Sequence, residues 1–255
     1  MKRLFALGLT ALLGLGSGAA QAAEGVAIPK QDWSFSGLFG TFDRAQLQRG
    51  FQVYREVCSS CHSIKYINFR NLTELGYSAD EAKAVAAEYT VIDGPNDDGE
   101  MFERPAIPAD AFPLPFPNEQ AARAANGGAY PPDLSLMAKS RPGGPDFTYA
   151  LMVGYRDEPP ADSEIELMEG MYYNDYFPGH QIAMPPPLFE GLVEYGDGTE
   201  ATVEQMAKDL TAFLMWTAEP NLEDRKQMGV KVILFLLVFT GILYAAKKKI
   251  WADVH

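Results

Sequence analysis

The residues with the plainest chemical purpose are Cys58-Ser59-Ser60-Cys61-His62, which hold the chain's two cysteines and the histidine that follows them. C-x-x-C-H is the attachment signature of c-type haem. Each thiol adds across a haem vinyl group as a thioether, and the next residue brings an imidazole beneath the ring, where it can bind iron. Other uses of the pair fit less well. A thioredoxin-like couple needs a βαβ setting that these flanks lack, and a zinc site needs a second ligand pair in a chain without another cysteine. The motif implies one covalent haem c, with Cys58 and Cys61 as its thioether cysteines and His62 as an iron ligand.

The opposite face of the iron is open to several residues. The chain has three histidines, His62, His180 and His255, and ten methionines. Met184 opens the run Met184-Pro185-Pro186-Pro187, whose prolines fix the backbone and make a stiff, extended strap able to hold a thioether against iron. Its bland alternative is a buried methionine before a surface turn. His180 is the main rival, and an open position is the third possibility. Thioether ligation would raise the potential relative to paired histidines and close the iron to substrate, giving a carrier. An open position would suit a haem enzyme such as a peroxidase. A haem-free interaction protein with a Cys58–Cys61 disulfide is the remaining reading.

Positioning the motif requires helices. Leu47, Phe51, Tyr54 and Cys58 recur at the spacing of one helix face behind a capping Asp43. Val203, Met206, Leu210, Phe213, Leu214 and Trp216 predict a second helix near the end of the domain. Between them, residues 79–89 read as the one clearly helical piece. Pro105, Pro108, Pro113, Pro115 and Pro117 mark irregular loops.

Both ends read as membrane-directed. Met1-Lys2-Arg3, the apolar stretch from Leu4 to Leu15 and Ala20-Gln21-Ala22 form a secretory signal peptide, 1–22. Residues 228–246 make a nineteen-residue apolar span if Lys231 snorkels. Lys247-Lys248-Lys249 then predicts a cytoplasmic tail, 247–255. Residues 23–227 would therefore lie outside the membrane, with 219–227 as a polar linker, and His255 would be on the wrong side to reach the haem. The net charge is −13, and the stretch from Ala23 to Met228 carries 15 Lys+Arg against 33 Asp+Glu. That excess argues against nucleic acid and for a basic partner or plain solubility. Two acidic groups stand out: Asp93, Asp97, Asp98, Glu100 and Glu103, then Asp157, Glu158, Asp162, Glu164, Glu166 and Glu169.

Several stretches together resemble the cytochrome c1 family, the haem c subunits of cytochrome bc1 complexes (ubiquinol–cytochrome c oxidoreductase). They are RGFQVYREVCSSCH at 49–62, DGPNDDGEMF at 93–102, AARAANGGAYPPDLS at 121–135, YFPG at 176–179, IAMPPP at 182–187 and AEPNLEDRKQMG at 218–229. The likeness runs in order over nearly the whole mature chain. It implies a mainly α, class I cytochrome c-like haem domain with large irregular Pro/Gly-rich insertions, plus one C-terminal transmembrane helix. Gly50 and Phe51 would meet Phe213 or Trp216 where the first and last helices of the domain cross. By the same resemblance Met184 is the distal iron ligand and Arg141 pairs a haem propionate, while Asn126, Pro132 and Leu134 line the pocket. The implied partners are cytochrome b, a Rieske iron–sulfur subunit as donor, a basic cytochrome c as acceptor and membrane lipid, in a dimeric complex of the bacterial inner membrane with the haem domain periplasmic. The chain would carry electrons and have no catalytic site of its own. Some bacterial relatives brace the loop before the methionine with an extra cysteine pair. This chain has none, so its 154–184 region must be steadied without a covalent link.

Overall fold

Asp43 starts the first helix by accepting hydrogen bonds from the amides of Ala45 and Gln46, which satisfies donors that a helix start otherwise leaves bare. The computed structural model describes residues 26–253. The expected signal peptide and His255 lie outside the described residues. Helix α1 spans Arg44–Glu56 and buries Leu47, Gly50, Phe51, Val53 and Tyr54. The predicted helical face runs on to Cys58, but α1 ends two residues earlier. A 3-10 turn over Cys58–Ser60 follows instead.

Helix α2 covers Ala79–Ala87, with Ser78 and Glu81 forming a reciprocal capping box. Strands β1 (Thr90–Asp93) and β2 (Phe102–Pro105) pair antiparallel, with Thr90 opposite Pro105. Arg104 ties this hairpin together through Asp93 and through Asp110 at 2.7 Å. Three further helices follow: α3 (Glu119–Ala125), α4 (Met137–Ser140) and α5 (Pro145–Val153). The sequence reading of 79–89 as the one helical piece in this region is therefore corrected. Two of the three are too short to show a period. The third starts at Pro145, in a Pro-Gly-Gly-Pro stretch that reads as a turn; a proline in the first helical turn loses no needed donor and is preset for helix. Strands β3 (Tyr155–Arg156), β4 (Tyr172–Asn174) and β5 (Gln181–Ile182) form a small antiparallel sheet in the order β3-β4-β5.

Helix α6, Val203–Ala218, is capped by Thr202 and crosses α1. The closest approach is at Gly50, where a Cβ would stand 2.1 Å from the Asp209 carbonyl oxygen and 2.7 Å from the Phe213 Cβ. Only glycine allows the two backbones that near. Around the crossing, Phe51 and Tyr54 each lie 5.7 Å from the Phe213 ring, and Trp216 lies 5.7 Å beyond it. Asp209 is fully buried on α6, and its carboxylate is satisfied by Arg49 Nε at 2.8 Å and Gln205 Nε2 at 2.9 Å. A buried charge needs such partners.

Helix α7 runs unbroken from Leu222 to Ile250. The expected linker is thus mostly helix. Leu222 is buried and Glu223 holds Arg44 at 3.0 Å and the Phe42 amide at 2.7 Å, so the first turn of α7 belongs to the domain. Its later apolar residues face outward, as suits a segment long and apolar enough to cross a membrane. The protein is mainly α-helical, with one C-terminal apolar helix.

Candidate haem-binding site

The 3-10 turn places His62 by short-range bonds: the amides of Cys61 and His62 both donate to the Cys58 carbonyl, at 3.1 and 2.8 Å. Cys58 and Cys61 are both half-buried and not joined to each other by a disulfide. Burial first, and then the neighbouring Cys61, push the Cys58 thiol up to about 12. A thiol held that way is a poor nucleophile or redox partner at neutral pH, whereas an uncharged thioether suits the same surroundings.

The His62 ring is oriented from far along the chain. Its Nδ1 lies 2.7 Å from the Pro132 carbonyl oxygen. A carbonyl can only accept, so Nδ1 carries the proton and Nε2 keeps its lone pair. Burial also lowers the pKa of His62, against the opposing pull of that hydrogen bond, and the neutral imidazole is the form that ligates iron. Above the ring's backbone, Tyr54 Oη donates to the His62 carbonyl at 3.0 Å. The half-buried Asp133 gathers the Ser63 hydroxyl at 2.6 Å and the amides of Lys65 and Ser135 at 3.0 Å. Burial works to raise its pKa, but these bonds hold it below the usual carboxylate range. Pro132 and Leu134 are thereby locked beside the motif, with the Leu134 amide on the Ser63 carbonyl at 2.8 Å.

The remaining expected pocket residues lie on the neighbouring helices. Asn126 ends α3, its Nδ2 donating to the Ala122 carbonyl at 2.7 Å. Arg141 follows α4 and is exposed, with Nε directed at the Met137 sulfur at 3.4 Å. Among the described residues that guanidinium holds no carboxylate, so its fork is free for one.

Met184 is half-buried against the edge of the core. Its carbonyl accepts from Tyr155 Oη at 3.1 Å, and burial raises the Tyr155 pKa, which keeps the phenol a donor. The approach to Met184 is braced by the fully buried Asn174. Its side chain donates to the Leu151 carbonyl at 2.9 Å and accepts from the amides of Tyr176 and Phe177 at 3.0 and 3.1 Å. Gly154 lets this packing close, since a Cβ there would meet a Tyr176 ring carbon at 2.5 Å and Asn174 Oδ1 at 3.0 Å. Hydrogen bonds therefore stand where a cysteine pair is lacking. His180 takes part in the same turn, with φ of 59°, its ring stacked 5.6 Å from Tyr173 and its Nδ1 at 3.2 Å from the Asn174 carbonyl.

Sequence reasoning placed Tyr54 on the buried face of α1 without a part in the site, and did not find Asp133, Tyr155 or Asn174. Those three carry no spacing signal, because they act on groups distant in sequence. With the tautomer that the Pro132 contact requires, the buried thiol surroundings and the free guanidinium, these residues fit a covalently held haem.

The sequence matches the Cytochrome C1 family over residues 33–254. It is 52% identical to cytochrome c1 of Rhodospirillum rubrum, covering 99% of this chain and 97% of that protein. It is 53% identical to cytochrome b/c1 of Bradyrhizobium diazoefficiens, over 92% of this chain and 37% of that longer protein. A third relative is the mitochondrial cytochrome b-c1 complex catalytic subunit of Candida albicans, 53% identical over 91% of this chain and 80% of that one. Together with a mainly helical fold and a site suited to haem, this places the protein in the cytochrome c1 family, the electron-carrying haem subunits of bc1 complexes.

Proposed function

We propose that the chain holds one haem c through thioethers at Cys58 and Cys61, with His62 and Met184 as the axial iron ligands and Arg141 on a propionate. The observation that carries this reading is the 2.7 Å contact of His62 Nδ1 with the Pro132 carbonyl: with Nδ1 donating there, the nitrogen left for iron is Nε2, on the residue directly after the second cysteine. Such a haem supplies reversible one-electron chemistry. The protein's part is to orient His62 through Pro132 and Tyr54, and to fix the Met184 backbone through Tyr155. His180 is already engaged in the turn at Tyr173 and Asn174, which favours Met184 as distal ligand.

The electrons come from a Rieske iron–sulfur subunit and leave to a basic cytochrome c. The acidic residues on the β1–β2 hairpin and in 157–169 would speed that encounter, since complementary charge acts mainly on association. Cytochrome b is a partner, a reading supported by the relative named cytochrome b/c1. The chain, cleaved after a signal peptide over 1–22, sits in a dimeric complex of the bacterial inner membrane. Residues 23–227 are periplasmic, 228–246 span the bilayer and 247–255 are cytoplasmic.

The test is purification in mild detergent. A haem-staining band that survives denaturing electrophoresis, a mass gain of one haem and a ferrous spectrum unchanged by carbon monoxide are expected. Loss of the stain on denaturation, or carbon monoxide binding to the native protein, would overturn the assignment. Turnover with a basic cytochrome c should fall as salt rises, and salt-independent turnover would remove the steering role.

A further inference from the structure

The segment 36–41 is pinned at both ends yet presents its most apolar residues to solvent. Ser36 donates to the Trp33 carbonyl and Thr41 to the Ser34 carbonyl, at 3.0 and 3.1 Å. Lys226, on the second turn of α7, donates to the carbonyls of Phe35 and Gly40 at 2.6 and 3.0 Å. At Gly40 a Cβ would stand 2.0 Å from the Ser36 carbonyl oxygen, so the turn closes only on glycine. Behind it, Phe35 stacks on Trp33 at 5.4 Å and packs on Phe42 at 5.1 Å. At the tip of this fastened loop, Phe39 is 80% exposed and Leu38 56%.

The position of the tip says what covers it. Leu38 and Phe39 share a cavity of about 320 Å³ with Gln227, Val230 and Lys231 of α7. Val230 is the third residue of the apolar span that begins at Met228, roughly 3 Å along the axis at 1.5 Å per residue. The tip thus stands at the depth where the span enters hydrocarbon. Exposed Phe and Leu side chains beside a lysine that can snorkel suit the boundary between headgroups and acyl chains. We infer that the loop 36–40 is a second membrane contact, seating Leu38 and Phe39 at the boundary of headgroups and acyl chains of a phospholipid surface.

That contact would restrict the tilt of the domain over the bilayer, which a single span leaves free. It rests on the reading of α7 as membrane-spanning. The experiment is photo-crosslinking in native membranes with the full chain carrying Phe39→benzoylphenylalanine, read by mass spectrometry. The expected result is a phospholipid adduct on the peptide that holds position 39, and none with Leu114→benzoylphenylalanine, a site 59% exposed on the Pro-rich segment. If the Phe39 variant does not accumulate, Leu38→benzoylphenylalanine gives the same readout. An adduct to another polypeptide would mean that a partner subunit covers the tip and would overturn the inference, as would the absence of any adduct. Extraction of the membranes with alkaline carbonate separates the two readings. Release of the chain would defeat α7 as a span and the inference with it. Retention without a lipid adduct would defeat the inference alone.

Discussion

The two proposed axial ligands, His62 and Met184, are held by the chain in different ways. His62 follows its cysteine directly, and two short-range hydrogen bonds to the Cys58 carbonyl place its backbone, while the Pro132 carbonyl, 70 positions away, turns its ring. Met184 depends on a phenol 29 residues away and on an asparagine that ties three separated backbone groups into one turn. A backbone placed by local bonds tolerates distant damage as long as the helices behind it stand. A site built on distant bonds fails piecemeal. The first is supported by the tight α1–α6 crossing, the second by a three-stranded sheet of very short strands.

The largest effect should come from breaking the α1–α6 crossing behind the haem motif. Gly50→Val drives a side chain into the Asp209 carbonyl, where 2.1 Å is left for even a Cβ. Overpacking at a helix crossing costs about 3 kcal/mol, so the apparent Tm should fall sharply and haem loading with it. An unchanged Tm would mean the crossing is looser than described. Next in size is Asn174→Ala, which leaves two amides and a carbonyl without their partner in a part-buried turn. Unpaired buried groups cost about 1–3 kcal/mol each. The expected signature separates the two sides: the covalent haem stain is retained, while ferrous protein gains carbon monoxide binding. Loss of the stain in this variant would show that the sides are not independent.

Tyr155→Phe removes one hydrogen bond to the Met184 carbonyl and keeps the ring, an expected loss of about 1 kcal/mol. The reduction potential should drop modestly with no change in haem content. A potential equal to the parent's would remove Tyr155 from the distal support. The smallest effect concerns acid. The Thr199 amide and hydroxyl and the Arg49 guanidinium hold Asp197 at about 2. Because its folded pKa lies below the ordinary carboxylate value, Asp197 adds stability above about pH 4 that fades as pH falls towards 2. Asp197→Asn should flatten part of the acid limb of a stability-versus-pH curve and leave neutral pH almost untouched. An identical acid limb would show that other carboxylates account for it.

Much of this organisation is legible in the residues, for identifiable reasons. Asp43 and the spacing of Leu47, Phe51 and Tyr54 announce α1, because a cap and a period of 3.6 are local properties. The apolar run after Met228 announces the long helix for the same kind of reason. Residues 119–125 and 137–140 are too short for periodicity to speak, and Pro145 reads equally as a turn or as a helix start. The polar stretch 222–227 reads as linker, yet it is helical because Leu222, Glu223 and Lys226 dock on the N-terminal segment.

The sequence by itself marked the proposed attachment site, since two thiols and an imidazole within five consecutive residues need no fold to be recognised. It also marked the stiff strap at Met184, because proline restricts the backbone wherever it occurs. Only the tertiary structure decided which nitrogen of His62 is left with a lone pair. Tertiary contacts likewise set how the Met184 strap is braced without a disulfide, and where Phe39 stands relative to α7. Each of these depends on a contact between residues distant in the chain, such as the 70 positions from His62 to Pro132. Spacing carries no information about such contacts until packing brings the two ends together.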